Sequence, residues 1–158
     1  TMVLLPLIAS RVDVPIIAAG GVCDGQSMAA ALVLGAEGVQ MGTRMVSAAE
    51  SPVHDNWKQL ICTSNEGDTL LLNRHAPPAF RVLRTAFSES AEGEDRAVIP
   101  KLESVHDLYF GGNMEASFAF SGQVAGRINE VMPVAQILRE TIADCEQTLR
   151  EISARFAG

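Results

Sequence analysis

Residues 15–42 read PIIAAGGVCDGQSMAAALVLGAEGVQMG, and this stretch decides the fold. Pro15 to Ala19 is a continuous apolar run closed by Gly20-Gly21. A run that does not alternate suits a strand buried on both faces, as in a parallel sheet. Asp24 is placed to cap a helix, Ser27 to Leu34 is rich in helix formers, and Gly35 stands where such a helix stops. Glu37 to Met41 then reads as a second buried strand, closed by Gly42-Thr43. The whole is one strand–helix–strand unit with tight loops and a right-handed crossover, the building block of a barrel or a doubly wound sheet.

Both strands end in a glycine turn, and parallel neighbours place such turns side by side at the C-terminal edge of the sheet. Glycine lets the backbone approach a ligand closely and leaves N–H groups to point at it. Thr43 adds a hydroxyl, and a helix starting after Gly21 adds its positive N-terminus. In a (β/α)8 barrel the loops after strands seven and eight hold a phosphate in this manner. On the residues alone two readings stay open: a cradle for a phosphate-containing ligand, or glycines that only make tight turns.

Working outward, Met2 to Ser10 is apolar and contains Pro6, and a helix is expected over about Pro6 to Arg11, with an earlier turn left open. The middle, Ser51 to about Asn113, mixes polar residues, prolines and charge. Pro52 to Gln59 opens a helix running to about Cys62, Glu66-Gly67-Asp68 is a turn, and Thr69 to Leu72 is a short strand. Ala79 to Ala86 reads as strand or helix. Ser88 to Asp95, with four acids and no bases, reads as a solvated loop. Toward the end, Val134, Ile137, Leu138, Ile142, Cys145, Leu149, Ile152 and Phe156 form one apolar stripe on an amphipathic helix opened by Pro133. Glu146–Arg150 and Glu151–Arg155 are favourable i,i+4 pairs on its other side.

Composition bounds the function. The 158 residues are 47% hydrophobic, enough for a real core and too many for disorder. The net charge of −7 argues against a nucleic-acid binder, which needs a basic face. No apolar run approaches a membrane span, and the start TMVLLPLIASR lacks the basic leader of a signal peptide. Cys23, Cys62 and Cys145 lie too far apart for a compact zinc cluster or a CxxC pair, so no metal site is expected. A cytoplasmic, reducing compartment is the expectation. His54, His75 and His106 are scattered, and Trp57 reads as an anchor of the middle region.

The run VPIIAAGGVCDGQSMAAALVLGAEGVQMGTRM (residues 14–45) resembles the nitronate monooxygenase (2-nitropropane dioxygenase) family, which includes the flavin-dependent enoyl-ACP reductase II. AESPVHDNWKQ (residues 49–59) and FSGQVAGRINEVMP (residues 120–133) resemble the segments that follow in the reductase-like branch, and the ending SARFAG is similar too. The likeness is weakest between Thr63 and Asn113.

The resemblance implies the C-terminal part of a (β/α)8 TIM barrel. Residues 1–47 would be its last strands and helices, 48–113 an inserted substrate-side region, and 114–158 the return segment and C-terminal amphipathic helix. It implies FMN, with Gly20, Gly21, Gly42 and Thr43 on the phosphate and Ala18 and Ala19 lining the approach. Gln40 and Met41 would end the last barrel strand, either touching flavin or packing. Arg44 would reach the phosphate or hold its loop by a salt bridge, and Ser121, Gly122 and Gln123 would return over the ring. The family's catalytic histidine lies upstream of the segment resembling Thr1-Met2-Val3, so no catalytic residue is assigned within this chain. The implied reaction is oxidation of alkyl nitronates with O2. The runner-up is enoyl-ACP reduction with NAD(P)H as electron donor, and a third reading is a non-catalytic phosphate-binding fragment. Partners would be a small-molecule substrate and, through exposed barrel strands, a second copy. The isolated chain is expected to bind FMN poorly and not turn over.

Overall fold

The computed structural model describes residues 2–93 and 97–157. In chain order its elements are α1 (Leu4–Ala9), β1 (Ile17–Ala19), α2 (Gly25–Val33), β2 (Gly38–Gln40), α3 (Thr43–Val46), α4 (Asp55–Thr63), β3 (Thr69–Leu72), β4 (Phe80–Leu83), α5 (Ala86–Ser90), α6 (Leu102–His106) and α7 (Val134–Phe156). A π-helical turn spans Asp107–Gly111 and a 3-10 turn Gln123–Arg127. The protein is α/β. Its chain forms two compact units, Thr1–Gly42 with Met132–Gly158, and Thr43–Val131. Helix α7 thus belongs with the first strands, and the return segment with the middle region.

In the first unit β1 and β2 pair in parallel, Ile17 opposite Gly38, Ala18 opposite Val39 and Ala19 opposite Gln40. The ladder is shorter than the apolar runs, and Pro15 has no N–H to extend it. Helix α2 makes the crossover. Leu5, Ala18, Ala31 and Ala36 form the core, flanked by Ile16, Leu34 and Val39. Small alanines let helix and strand lie close together.

Helix α2 begins at Gly25, directly after the expected cap Asp24. The Asp24 carboxylate accepts the Ser27 N–H at 2.8 Å, and the Ser27 hydroxyl accepts the Asp24 N–H at 3.1 Å, a reciprocal capping box. Gly35, at φ +101°, ends the helix and donates its N–H to the Leu32 carbonyl. Helix α1 starts at Leu4, so the earlier turn is present, with Pro6 tolerated in the first turn, where no N–H is needed, and it stops at Ala9, short of Arg11.

Helix α7 forms as expected, but its stripe divides. Ile137, Thr141 and Cys145 are buried, while Leu138, Ile142, Ile152 and Phe156 are exposed, Phe156 to 85%. A Cβ on Gly25 would collide with the Asp144 side chain and the Cys145 backbone, so the start of α2 rests directly on α7. Arg150 pairs with Glu146 at 3.4 Å, and Glu151 accepts from the Gln147 amide at 2.6 Å.

In the second unit β3 and β4 pair antiparallel, Thr69 opposite Leu83 and Leu72 opposite Phe80. The far edge of β4 is also occupied: Leu83 donates to the Ala119 carbonyl at 2.8 Å, and Ser121 donates to Arg81 at 3.1 Å. Residues 79–86 therefore resolve into strand first, with helix only from Ala86. Leu70, Leu72, Val82 and Phe118 form the core, with Phe80, Phe87 and Phe120 packed against it. Trp57 is fully buried, edge-on to Tyr109 at 4.5 Å. Helix α4 begins at Asp55 rather than Pro52, because the His54 ring Nδ1 accepts the Asn56 N–H at 3.1 Å and caps it.

The acidic stretch corrects one expectation. Ser88 to Ser90 are helical, and Ser88 is 1% exposed, donating to the Leu83 carbonyl at 3.0 Å. Thr85 and Ser88 make a second capping box, a polar pattern that a count of charges does not register. Glu89 and Glu92 are exposed as expected, and Glu94 and Asp95 lie outside the described residues.

Candidate functional site

The parallel register places the two glycine turns at the same end of the sheet. Ala19 and Gln40 are partners at the last rung, so Gly20-Gly21 and Met41-Gly42 leave β1 and β2 together. Gly20 and Gly21 adopt φ +89° and +82°, a region that L side chains rarely enter. A Cβ on Gly20, Gly21 or Gly42 would meet nothing within 4 Å. These glycines therefore face open space: no neighbour in the fold requires their smallness. Ala19, Gln40 and Gly42 are exposed beside that space, and Met41 is half-buried.

The helix dipole contributes differently from expectation. The N-terminus of α2 carries its own carboxylate, Asp24, on the Ser27 N–H. The side chain that caps the helix also sets a carboxylate at its N-terminus.

Thr43 and Gln123 lie in the second unit. Thr43 opens α3, and its Oγ1 accepts the Gly122 N–H at 2.8 Å. That bond ties the residue after Gly42 to the residue before Gln123, and Thr43 keeps its hydroxyl proton to donate. Gln123 itself is exposed at the head of the 3-10 turn. Arg44 is buried; its guanidinium Nη1 donates to the Glu130 carbonyl at 2.8 Å and to Ser47 Oγ at 3.5 Å, which holds the turn after Thr43. Of the expected site residues, then, the structure gathers Ala19, Gly20, Gly21, Gln40, Met41 and Gly42 at one sheet end, and joins Thr43 to the Gln123 turn through Gly122. The Gly122 amide is the contact that sequence alone did not disclose.

Two of the three thiols are shifted upward from their ordinary value. Burial pushes the Cys62 thiol up, partly opposed by the Arg44 charge and reinforced by Glu130. Burial and the Glu146 charge push Cys145 up as well. Among the described residues no group of acidic, histidine and cysteine side chains could hold a metal ion, and no helix is long and apolar enough to cross a membrane.

Comparison with known proteins places this geometry. The chain is 30% identical over 161 residues to a Staphylococcus aureus protein described as a probable nitronate monooxygenase, covering 95% of this chain and 44% of that one. The solved structure of FabK from Thermotoga maritima is similar at 34% identity and a TM-score of 0.87, over 99% of this chain and 52% of that one. A nitroalkane oxidase from Streptomyces ansochromogenes shares the fold, with a TM-score of 0.80 at 22% identity. This chain spans about half the length of the relatives it matches. Residues 1–144 match the family model of nitronate monooxygenase, and the chain belongs to that family of oxidoreductases.

Proposed function

We propose that this chain is part of an FMN-dependent oxidoreductase with the architecture of a (β/α)8 barrel. The phosphate would be held by the amides of Gly20, Gly21 and Gly42 and by the Thr43 hydroxyl. Ala19, Gln40, Met41 and Gln123 would flank the rest of the cofactor. The observation that supports this most is the pair of glycine turns leaving one end of a parallel ladder, with open space where each Cβ would stand. FMN, when bound, supplies a ring that takes up and passes on electrons. The protein's part is to orient that ring and to offer N–H groups to the phosphate dianion.

The reaction proposed is oxidation of an alkyl nitronate with O2. A second reading, reduction of an enoyl thioester with NAD(P)H, is favoured by the stronger likeness to FabK than to the nitroalkane oxidase. The 158-residue chain alone, about half the length of its relatives, is expected to bind FMN weakly and not to turn over.

The test is the chain extended to the length of its relatives. It should purify with stoichiometric yellow flavin. Oxygen consumption with propionate 3-nitronate would support the first reaction, and NADH or NADPH oxidation dependent on enoyl-ACP the second. Gly42→Val, whose Cβ would meet no atom within 4 Å, should lose flavin while keeping its far-UV circular dichroism. Absence of flavin in the unaltered protein would overturn the proposal.

A further inference from the structure

We propose that Arg44 is a positioning residue: it pins residues 122–130 as a closed strap, so that Gln123 on the strap and Thr43 beside Arg44 stand at a fixed separation. The bearing of this on cofactor binding rests on the FMN reading; the strap itself does not.

Two consecutive residues hold the two ends of the segment. Thr43 Oγ1 accepts the Gly122 N–H at 2.8 Å, and Arg44 Nη1 donates to the Glu130 carbonyl at 2.8 Å. A segment of this length could span roughly 30 Å when extended, whereas the Cα atoms of its two anchors are about 3.8 Å apart. The chain is therefore drawn into a loop with its ends together, the form in which compact surface loops present functional side chains. Its interior is ordered to match. The Ala125 N–H donates to the Gly122 carbonyl at 3.1 Å and the Ile128 N–H to the Ala125 carbonyl at 3.0 Å. Ala125 and Ile128 are buried, while Gln123, Arg127 and Asn129 are exposed.

A third hold lies at the middle of the strap. A Cβ on Gly126 would collide with the backbone of Asn65 and Glu66, so the two chains rest there backbone on backbone. The seat is itself tied: the Asn65 N–H donates to the Asp68 carboxylate at 2.8 Å, and the Gly67 N–H to the Asn65 side-chain oxygen at 2.8 Å. With one end and the middle seated in this way, the Glu130 end is held by Arg44.

The cost of that hold argues for a role. Arg44 is 7% exposed, and a guanidinium taken out of water needs well-placed acceptors to offset its lost hydration. An exposed polar loop needs no buried cation to lie on a surface. The guanidinium is also aimed. Ser47, fully buried, donates its hydroxyl proton to the Arg44 carbonyl at 2.9 Å, which leaves its oxygen to accept from Nη1 at 3.5 Å. Burial raises the Cys62 thiol most, and the Arg44 and Glu130 charges both reach it, so α4 stands behind the same clamp. A charge-assisted bond to a backbone carbonyl fixes the course of the chain rather than one side chain. The residue carried by that chain is Gln123, whose amide both donates and accepts.

The experiment begins with amide exchange on the whole chain. Arg44→Met, which removes the charge, should speed exchange across residues 122–130 at least tenfold and leave the Thr69–Leu72 ladder within twofold. Arg44→Lys, which keeps a donor, should bring residues 122–130 back to within threefold of the unaltered chain. If Arg44→Met does not fold, Ser47→Ala decides, with an acceleration of at least threefold in the same residues. Unchanged exchange at 122–130, equal acceleration of the ladder, or a lysine that rescues nothing would each overturn the proposal. In the chain extended to the length of its relatives, Arg44→Met should raise the FMN dissociation constant at least tenfold, read by quenching of FMN fluorescence. A loosened strap with unaltered FMN affinity would overturn the positioning role. An unaltered extended protein that binds no FMN would remove the FMN reading, while the exchange result still decides the strap.

Discussion

The hydroxyl oxygen of Thr43 accepts the backbone N–H of Gly122 at 2.8 Å, joining positions 79 residues apart. Thr43→Val keeps the shape and removes the acceptor, leaving the half-buried Gly122 amide unpaired. A loss of about 1–2 kcal/mol is expected by urea denaturation. Thr43→Ser should restore most of it, and a restoration failure would show that the methyl group, not the hydroxyl, matters.

The glycines divide into two mechanical classes. Gly25→Ala drives a methyl into Asp144 and the Cys145 backbone, neither of which can swing aside, and should cost about 1–3 kcal/mol or more. Gly42→Ala places its methyl in open space and should leave the thermal midpoint within about a degree or two of the unaltered chain. Equal effects at the two positions would contradict the packing described.

Ser88 is a buried hydroxyl within the acidic stretch, donating to the Leu83 carbonyl and accepting the Thr85 N–H at 2.8 Å. Ser88→Ala breaks both bonds and should destabilise the protein by about 1–2 kcal/mol. Substituting exposed Glu92 by Gln should change stability by less than about 0.5 kcal/mol. Chemical denaturation of the two variants checks the contrast.

The Cys145 thiol is raised by burial and by Glu146, so the folded chain holds its proton more tightly than the unfolded chain. Below the ordinary thiol value of about 8.5, both states are protonated and the folded form keeps its full advantage. Above it, unfolding releases a proton, and rising pH therefore favours the unfolded chain. The urea midpoint should fall between pH 8 and pH 10, and Cys145→Ala should flatten that slope.

How much of this was legible beforehand depends on the kind of signal. The unit from β1 to β2 was readable almost residue by residue, because glycines at Gly20, Gly35 and Gly42 punctuate it and Asp24 announces a helix start. The strand at Thr69–Leu72 was equally plain from its apolar run. Boundaries set by side chains that cap the backbone were not: His54 as an acceptor moved one helix start, and the Thr85–Ser88 pair opened a helix where a loop was expected. The division of the α7 stripe also escaped, because Leu138 and Ile137 are equally apolar, and only the position of α2 decides which one is covered. At the site, the glycine turns were visible as local patterns, whereas the Thr43–Gly122 bond joins distant positions with nothing periodic between them.

Strand β4 is shared, with β3 on one edge and residues 119–121 on the other, immediately before Gly122. A slip of one residue in that hairpin would invert every side chain it carries and drag the backbone amide that Thr43 holds. Sequence drift at the roots of this hairpin is thus penalised, and its loop is held as well, Asn73 donating to the Pro78 carbonyl and Arg74 to the Leu71 carbonyl, so Arg81 and Leu83 would be expected to keep their phase.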